Sequence, residues 1–184
     1  MARIIGIAGS LRRASFNAAL LRAAAGLVPA GSEIELASIV DIPLYNADVE
    51  REQGIPEAVT VLKDRIAAAE GLLLATPEYN RSLPGVFKNA IDWLSRPSRD
   101  IARVFGDKPV AILGASDGRG GTRVVQAAWL PVLRGLGTRP WFGGEIYVAN
   151  AREVFDAEGR LVDEKVRKLL AAFMEGFVDF VTAR

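Results

Sequence analysis

Arg3-Ile4-Ile5-Gly6-Ile7-Ala8-Gly9-Ser10-Leu11-Arg12-Arg13-Ala14-Ser15-Phe16-Asn17 is the stretch that decides the fold. Its first half is a nearly continuous apolar run that ends at Gly9, the pattern of a central parallel strand buried on both faces. A short polar loop follows. Then Phe16, Ala19, Leu20, Ala23, Ala24 and Leu27 recur at helical spacing as far as Val28, and Pro29-Ala30-Gly31 stops the run. A buried strand that turns through a polar loop into an amphipathic helix is half of a βαβ unit, and the remainder of the chain repeats that alternation.

Glu33 to Ser38 alternates charged and apolar side chains (Ile34, Leu36), which suits an outer strand with one wetter face. Residues 41–55 read as irregular, with Pro43, Gly54 and several acids. Pro56 opens a helix through Val59, Leu62, Ile66 and Ala69. Gly71 ends it, and Leu72-Leu73-Leu74-Ala75 is a third strand. A loop at 76–83 leads to a helix from about Pro84 to Leu94. Pro109 to Gly114 is a fourth strand, followed by a glycine-rich loop at 115–121. Thr122 to Leu136 is helical in pattern, but Pro131 is expected to kink or split it, at about 3 kcal/mol if unrelieved. A fifth strand is expected within 140–149, at Gly144 to Ala149. The last helix shows an apolar face of Val162, Val166, Leu169, Leu170, Phe173, Phe177, Phe180 and Val181. The expectation is a single α/β domain over 1–184: a five-stranded parallel sheet with helices on both faces. Ligands of such sheets sit at the carboxyl ends of the strands, so the loops after the first, third and fourth strands are the places for a site.

Composition bounds the chemistry. The chain has 184 residues, 23 Lys+Arg against 22 Asp+Glu, and neither cysteine nor histidine. Without cysteine there are no disulfides, thiolate nucleophiles or zinc-thiolate sites. Without histidine there are no Ser-His-Asp triads and no imidazole acid–base chemistry. A net charge of +1 argues against a nucleic-acid binder, which carries a large basic excess. No apolar run approaches the roughly 18 residues of a membrane span, so the expectation is a soluble, cytoplasmic protein.

The loop after the first strand gathers Ser10, Arg12, Arg13, Ser15 and Asn17 at a helix N-terminus. Free backbone N–H groups and the positive helix end favour an anion there, and arginine grips phosphate bidentately. The layout suits a terminal phosphomonoester held without metal; the alternative is that Ser15 only caps the helix. It is neither a Walker A loop nor a Rossmann glycine fingerprint. In the next loop, Thr76 to Gly85, stiff prolines flank Glu78, Tyr79, Asn80 and Ser82, a setting that can offer a slot to a flat heterocycle. Glu78 invites a catalytic-base reading, although a lone carboxylate in a turn is more often structural. Ala115 to Gly121 adds glycines that let backbone approach a ligand closely.

Taken together, Gly9-Ser10-Leu11-Arg12 with Ser15 and Asn17, then Pro77-Glu78-Tyr79-Asn80 running to Lys88-Asn89-Ala90-Ile91-Asp92-Trp93, resemble the NADPH-dependent FMN reductase family. The resemblance extends to Gly120-Gly121 and to the tail Phe155-Asp156-Ala157-Glu158-Gly159-Arg160-Leu161. It implies a flavodoxin-like sheet of strand order 2-1-3-4-5. It further implies that Ser10, Arg12, Ser15 and Asn17 hold the FMN phosphate and that Pro77, Glu78, Tyr79, Asn80 and Ser82 line the isoalloxazine and ribityl side. Ser116 and Gly118 would border the ring. The family pattern is departed from at Arg81, Asp117 and Pro131.

By that resemblance the chain is an FMN-dependent NAD(P)H oxidoreductase, with NADPH or NADH as donor and quinones, flavins, chromate or azo compounds as acceptors. The flavin carries the hydride chemistry, and no catalytic side chain and no metal is required. Backbone donors from 78–80 are expected near the ring. Arg81, Arg96 and Arg99 are candidates for a 2′-phosphate. A homodimer or homotetramer is implied, and the broad apolar girth of Val86, Phe87, Ala90, Ile91, Trp93 and Leu94 agrees with burial on more than one side; a helix sunk in its own core is the alternative. The length leaves no room for a separate nicotinamide domain, so the nicotinamide is expected over the flavin. The competing reading is a flavodoxin-type electron carrier without NAD(P)H oxidation, against which the near-neutral charge counts.

Overall fold

The computed structural model describes residues 2–183. Strands β1 (Arg3–Ala8), β2 (Glu33–Ala37), β3 (Gly71–Ala75) and β4 (Pro109–Ala115) form a parallel sheet. Two short strands, β5 (Arg139–Pro140) and β6 (Tyr147–Val148), add to β4. The order is β2-β1-β3-β4-β5, with β6 also on β4, as a flavodoxin-like sheet requires. Register follows from the apolar runs: Ile5 lies beside Leu72, and Leu72 beside Val110.

Because the central runs at residues 4–8, 72–75 and 110–115 carry no polar side chain, alternate residues feed two cores. Ile5, Ile7, Leu72, Leu74 and Val110 face one layer with α3 (Glu57–Ala68), α4 (Gly85–Leu94), α5 (Ile101–Phe105) and α6 (Arg123–Gly135). Ile4, Leu73, Ala111 and Leu113 face the other, with α1 (Phe16–Ala25), α7 (Ala151–Val154) and α8 (Glu164–Thr182). β2 is the wetter edge, where Glu35 pairs with Arg3 of β1 and with Arg65 Nε at 2.6 Å.

Several expectations are corrected. α1 stops at Ala25, where the Gly26 N–H turns back to the Arg22 and Ala24 carbonyls; Leu27 and Val28 pack on the core without being helical. The irregular stretch contains α2 (Ala47–Gln53), capped by the Asn46 side chain, which accepts from the Asp48 N–H at 2.8 Å. It buries no residue, so it leaves no apolar stripe in the sequence. α5 was likewise not expected; five residues are too few for a period to register. Pro131 does not split α6: it and Ala127, whose carbonyl it deprives of a partner, both lie on the exposed face, open to solvent. The fifth strand is broken in two. The Trp141 N–H still donates to the Val110 carbonyl at 2.8 Å while its ring packs against Phe173 and Phe177 of α8, with centroids 4.9 and 5.7 Å away; the chain leaves the ladder after it and rejoins β4 at Tyr147. On α8, Leu170, Phe173, Met174, Phe177 and Val178 are buried, whereas Leu169 is exposed and Val162 precedes the helix, also exposed.

Candidate functional site

The carboxyl ends of β1, β3 and β4 open into a cleft of about 330 Å³. Ser10, Arg12, Ser15, Phe16 and Asn17 line it from the first loop, Pro77, Glu78 and Tyr79 from the second, and Ala115, Ser116 and Asp117 from the third, with Arg152 of α7 closing the side.

The first loop is shaped by its own chemistry. The Gly9 N–H donates to the Ala75 carbonyl at 2.8 Å, which fastens the end of β1 to β3. A side chain on Gly9 would overlap the Phe87 ring, so glycine is what lets the loop start there. The chain then turns, with the Ser15 N–H donating to the Arg12 carbonyl at 3.1 Å. Ser15, buried and extended, caps α1 by accepting from the Ala18 N–H at 3.2 Å. Capping uses only the oxygen's acceptor side, so the hydroxyl hydrogen stays available to an anion beside the helix end. Arg12 lies over the Phe16 ring at 5.0 Å, and among the described residues no carboxylate pairs with it. Asn17 has a different task. Its amide donates to the Ala115 carbonyl at 2.8 Å, and its oxygen accepts from the Ala115 N–H at 2.9 Å, so it ties α1 to the end of β4.

The second loop is braced from below. Thr76 Oγ1 donates to the Pro77 carbonyl at 3.0 Å and accepts from the Trp129 indole at 3.1 Å. Glu78 is no free base: one carboxylate oxygen accepts from the Val124 and Val125 N–H groups, both at 3.1 Å, and so caps α6. Tyr79 and Ser82 exchange backbone hydrogen bonds of 3.2 and 3.0 Å around Asn80 and Arg81, whose φ values are +50° and +61°. This is the geometry of a type I′ turn. Asn80 and Ser82 therefore shape an exposed hairpin and do not line the cleft. Of the backbone donors expected near the ring, the Tyr79 N–H is taken up within that hairpin.

In the third loop, Ser116 Oγ accepts from the Gly118 N–H at 3.1 Å, so Gly118 steadies the loop from outside the cleft lining. Asp117 pairs with Arg152 at 2.5 Å. Sequence reasoning missed Phe16 and Arg152. Phe16 read as a core position of α1; Arg152 lies beyond the last strand, in no motif. On α4, Phe87, Ala90, Ile91, Trp93 and Leu94 are buried within the one chain, and Val86 is half-buried.

The residues present fit FMN. An unpaired guanidinium, hydroxyls and a helix N-terminus converge at one end, and a wall of Pro77 and Tyr79 stands at the other, as a phosphomonoester joined to a flat ring requires. The model of the family described as NADPH-dependent FMN reductase matches residues 2–153. The chain belongs to that family. An NAD(P)H-dependent FMN reductase of Pseudomonas aeruginosa is 50% identical over 168 residues, 91% of this chain and 89% of that protein. A 2-hydroxy-1,4-benzoquinone reductase of a Burkholderia species is 41% identical over 182 residues, covering 99% of this chain and 97% of its own. Among solved structures, the flavoenzyme NAD(P)H:(acceptor) oxidoreductase FerB of Paracoccus denitrificans superposes with a TM-score of 0.87 at 38% identity, over 98% of this chain and 97% of that one. As an FMN reductase of this family, the chain is an FMN-dependent NAD(P)H oxidoreductase, not a bare electron carrier.

Proposed function

We propose that this reductase holds FMN in the cleft, phosphate at the N-terminus of α1 and ring against Pro77 and Tyr79, and passes electrons from NAD(P)H to small acceptors of the quinone type. The observation that carries this reading is the convergence of unpaired Arg12, the Ser15 cap and the Pro77–Tyr79 wall in one cleft at the sheet's switch point. When bound, FMN supplies the hydride-accepting and electron-donating chemistry. The chain supplies placement. Arg12, Ser10 and Ser15 would bind the phosphate, and Ser116 would border the ring. Asn17 would hold the third loop in register through Ala115, and Glu78 would fix the second loop against α6.

The nicotinamide would lie over the exposed face of the ring, beside Tyr79, which is 48% exposed. Of the arginines weighed for a 2′-phosphate, Arg96 is committed to Glu50 at 2.9 Å and lies over Tyr45. Arg99 and Arg81 are both exposed, and Arg81, at the tip of the hairpin that Tyr79 opens, is the candidate proposed. Arg81→Ala is expected to raise KM for NADPH more than for NADH; equal losses would remove that role. The reading also takes the protein as a cytoplasmic homodimer or homotetramer. Leu44 and Phe142, 81% and 72% exposed, are apolar surface that self-association would cover, and sedimentation would report the state. Among the described residues, no helix is long and apolar enough to cross a membrane.

The test of the flavin reading is direct. The purified protein should be yellow and should bleach on anaerobic addition of NADPH, and Arg12→Ala should weaken FMN binding by roughly tenfold, the loss of one charge-assisted contact. A colourless protein that FMN cannot reconstitute would overturn the reading. Benzoquinone, chromate and azo dyes as acceptors would then rank the substrates.

A further inference from the structure

The turn Phe155–Leu161 contributes nothing to the flavin cleft, yet it is built with care. Phe155 pairs with Leu161 across it, the Asp156 N–H donates to the Arg160 carbonyl at 3.0 Å, and the Gly159 N–H donates to the Asp156 carbonyl at 3.0 Å. Gly159 has φ +75°, and a Cβ there would stand 3.1 Å from Arg22 Nη2, so glycine lets the turn lie close against the Arg22 side chain of α1.

Between this turn and α1 runs a groove of about 520 Å³. It shares Arg12, Ser15, Phe16 and Arg152 with the flavin cleft and continues past Arg13 and Arg22 over a floor that includes Ala19, Phe155 and Ala157. Its charge is unbalanced. The carboxylates of Asp156 and Glu158 are already held by Arg160, at 2.6 and 2.9 Å, and Arg152 is held by Asp117. Among the described residues, Arg12, Arg13 and Arg22 have no carboxylate partner. Three free guanidiniums along an apolar trough are a receptor for an anion that carries a flat heterocycle.

We propose that this groove binds the adenosine diphosphate half of a dinucleotide, and that the protein thereby accepts FAD as well as FMN. The inference rests on the flavin reading above. FAD differs from FMN by an AMP unit joined at the phosphate, and the groove starts at the proposed phosphate end and leads away from Pro77 and Tyr79. The added phosphate would meet Arg13 and Arg22, and the adenine would lie over the Ala19–Phe155 floor. A second source of the same chemistry is the ADP half of NADPH.

Flavin-free protein titrated with FMN and with FAD, followed by flavin fluorescence, distinguishes the outcomes. FAD should bind at least as tightly as FMN. The exposed pair Arg13→Ala/Arg22→Ala should weaken FAD roughly tenfold or more and leave FMN unchanged, which also reports an intact fold. If FMN itself fails to bind wild-type protein, the flavin reading falls, and this inference with it. If FMN binds and FAD does not, or if the double variant leaves FAD affinity untouched or weakens both flavins equally, the groove assignment alone is overturned. A variant that raises KM for NADPH in FMN-loaded protein without altering FAD affinity would give the groove to the nicotinamide nucleotide instead.

Discussion

Ser15 carries two duties that separate experiments can divide. Its oxygen caps α1, and the residue lines the cleft with its hydroxyl hydrogen free to donate. Ser15→Ala is expected to cost about 1 kcal/mol of stability through the lost cap. Chemical denaturation reads that loss, and FMN titration should show weaker binding in the same variant. Asn80 is held at φ +50° in the hairpin. Asn80→Ala should destabilise by about 1 kcal/mol, because alanine tolerates the left-handed region less well. Thermal melts check it, and FMN affinity should change little if Asn80 acts only on the turn. The Ser15 cap was legible in the sequence because capping is local, whereas the left-handed backbone of Asn80 was not. A side chain's polarity announces that it can bind something, not which backbone conformation holds it.

At the scale of elements, the loops behave as one assembly because side chains cross between them. Asn17 joins α1 to β4, and Glu78 joins the loop after β3 to the start of α6. Asn17→Ala would strand the buried Ala115 N–H and C=O, at a cost of about 2 kcal/mol or more. A lowered urea midpoint, with weakened FMN binding that FMN excess restores, would match a residue that braces the cleft; unchanged stability would contradict the bracing role. Elements with an apolar stripe, such as α3 and α8, were readable from periodicity. α2 was not, since its seven residues bury nothing and are held by the Asn46 cap. The broken fifth strand was hidden as well: residues 139–149 contain enough β-formers for one strand, and the packing of Trp141 on α8, where the chain leaves β4, is a tertiary contact.

For the whole molecule, the missing histidines make a prediction about pH. No imidazole titrates, so stability should be nearly flat between about pH 5 and 8. Below that range the ion-paired carboxylates take over. The Arg3 hydrogen bond, aided by Arg65, holds Glu35 below its ordinary 4.5, and backbone and side-chain donors from Arg160 hold Asp156 below 3.8. A carboxylate lowered in the folded state contributes stability above its ordinary value and loses it as pH falls through the lowered one. The urea midpoint should therefore decline below about pH 4.5, and Glu35→Gln should decline less steeply. An unchanged slope in that variant would remove Glu35 from the account.

The sequence by itself determined the sheet, the order of its main elements and the three loops that form the cleft, because apolar runs, helical periods and a local cap are interactions between near neighbours. Only the tertiary structure decided that Asn17 and Glu78 act as braces, that α4 is buried within its own chain, and that Arg152 reaches the site. It also aligned Arg13 and Arg22 with the Gly159 turn in a second groove. Those facts depend on contacts between residues tens of positions apart, as between Asn17 and Ala115, separated by 98 positions. No local pattern encodes such a contact before the chain has folded.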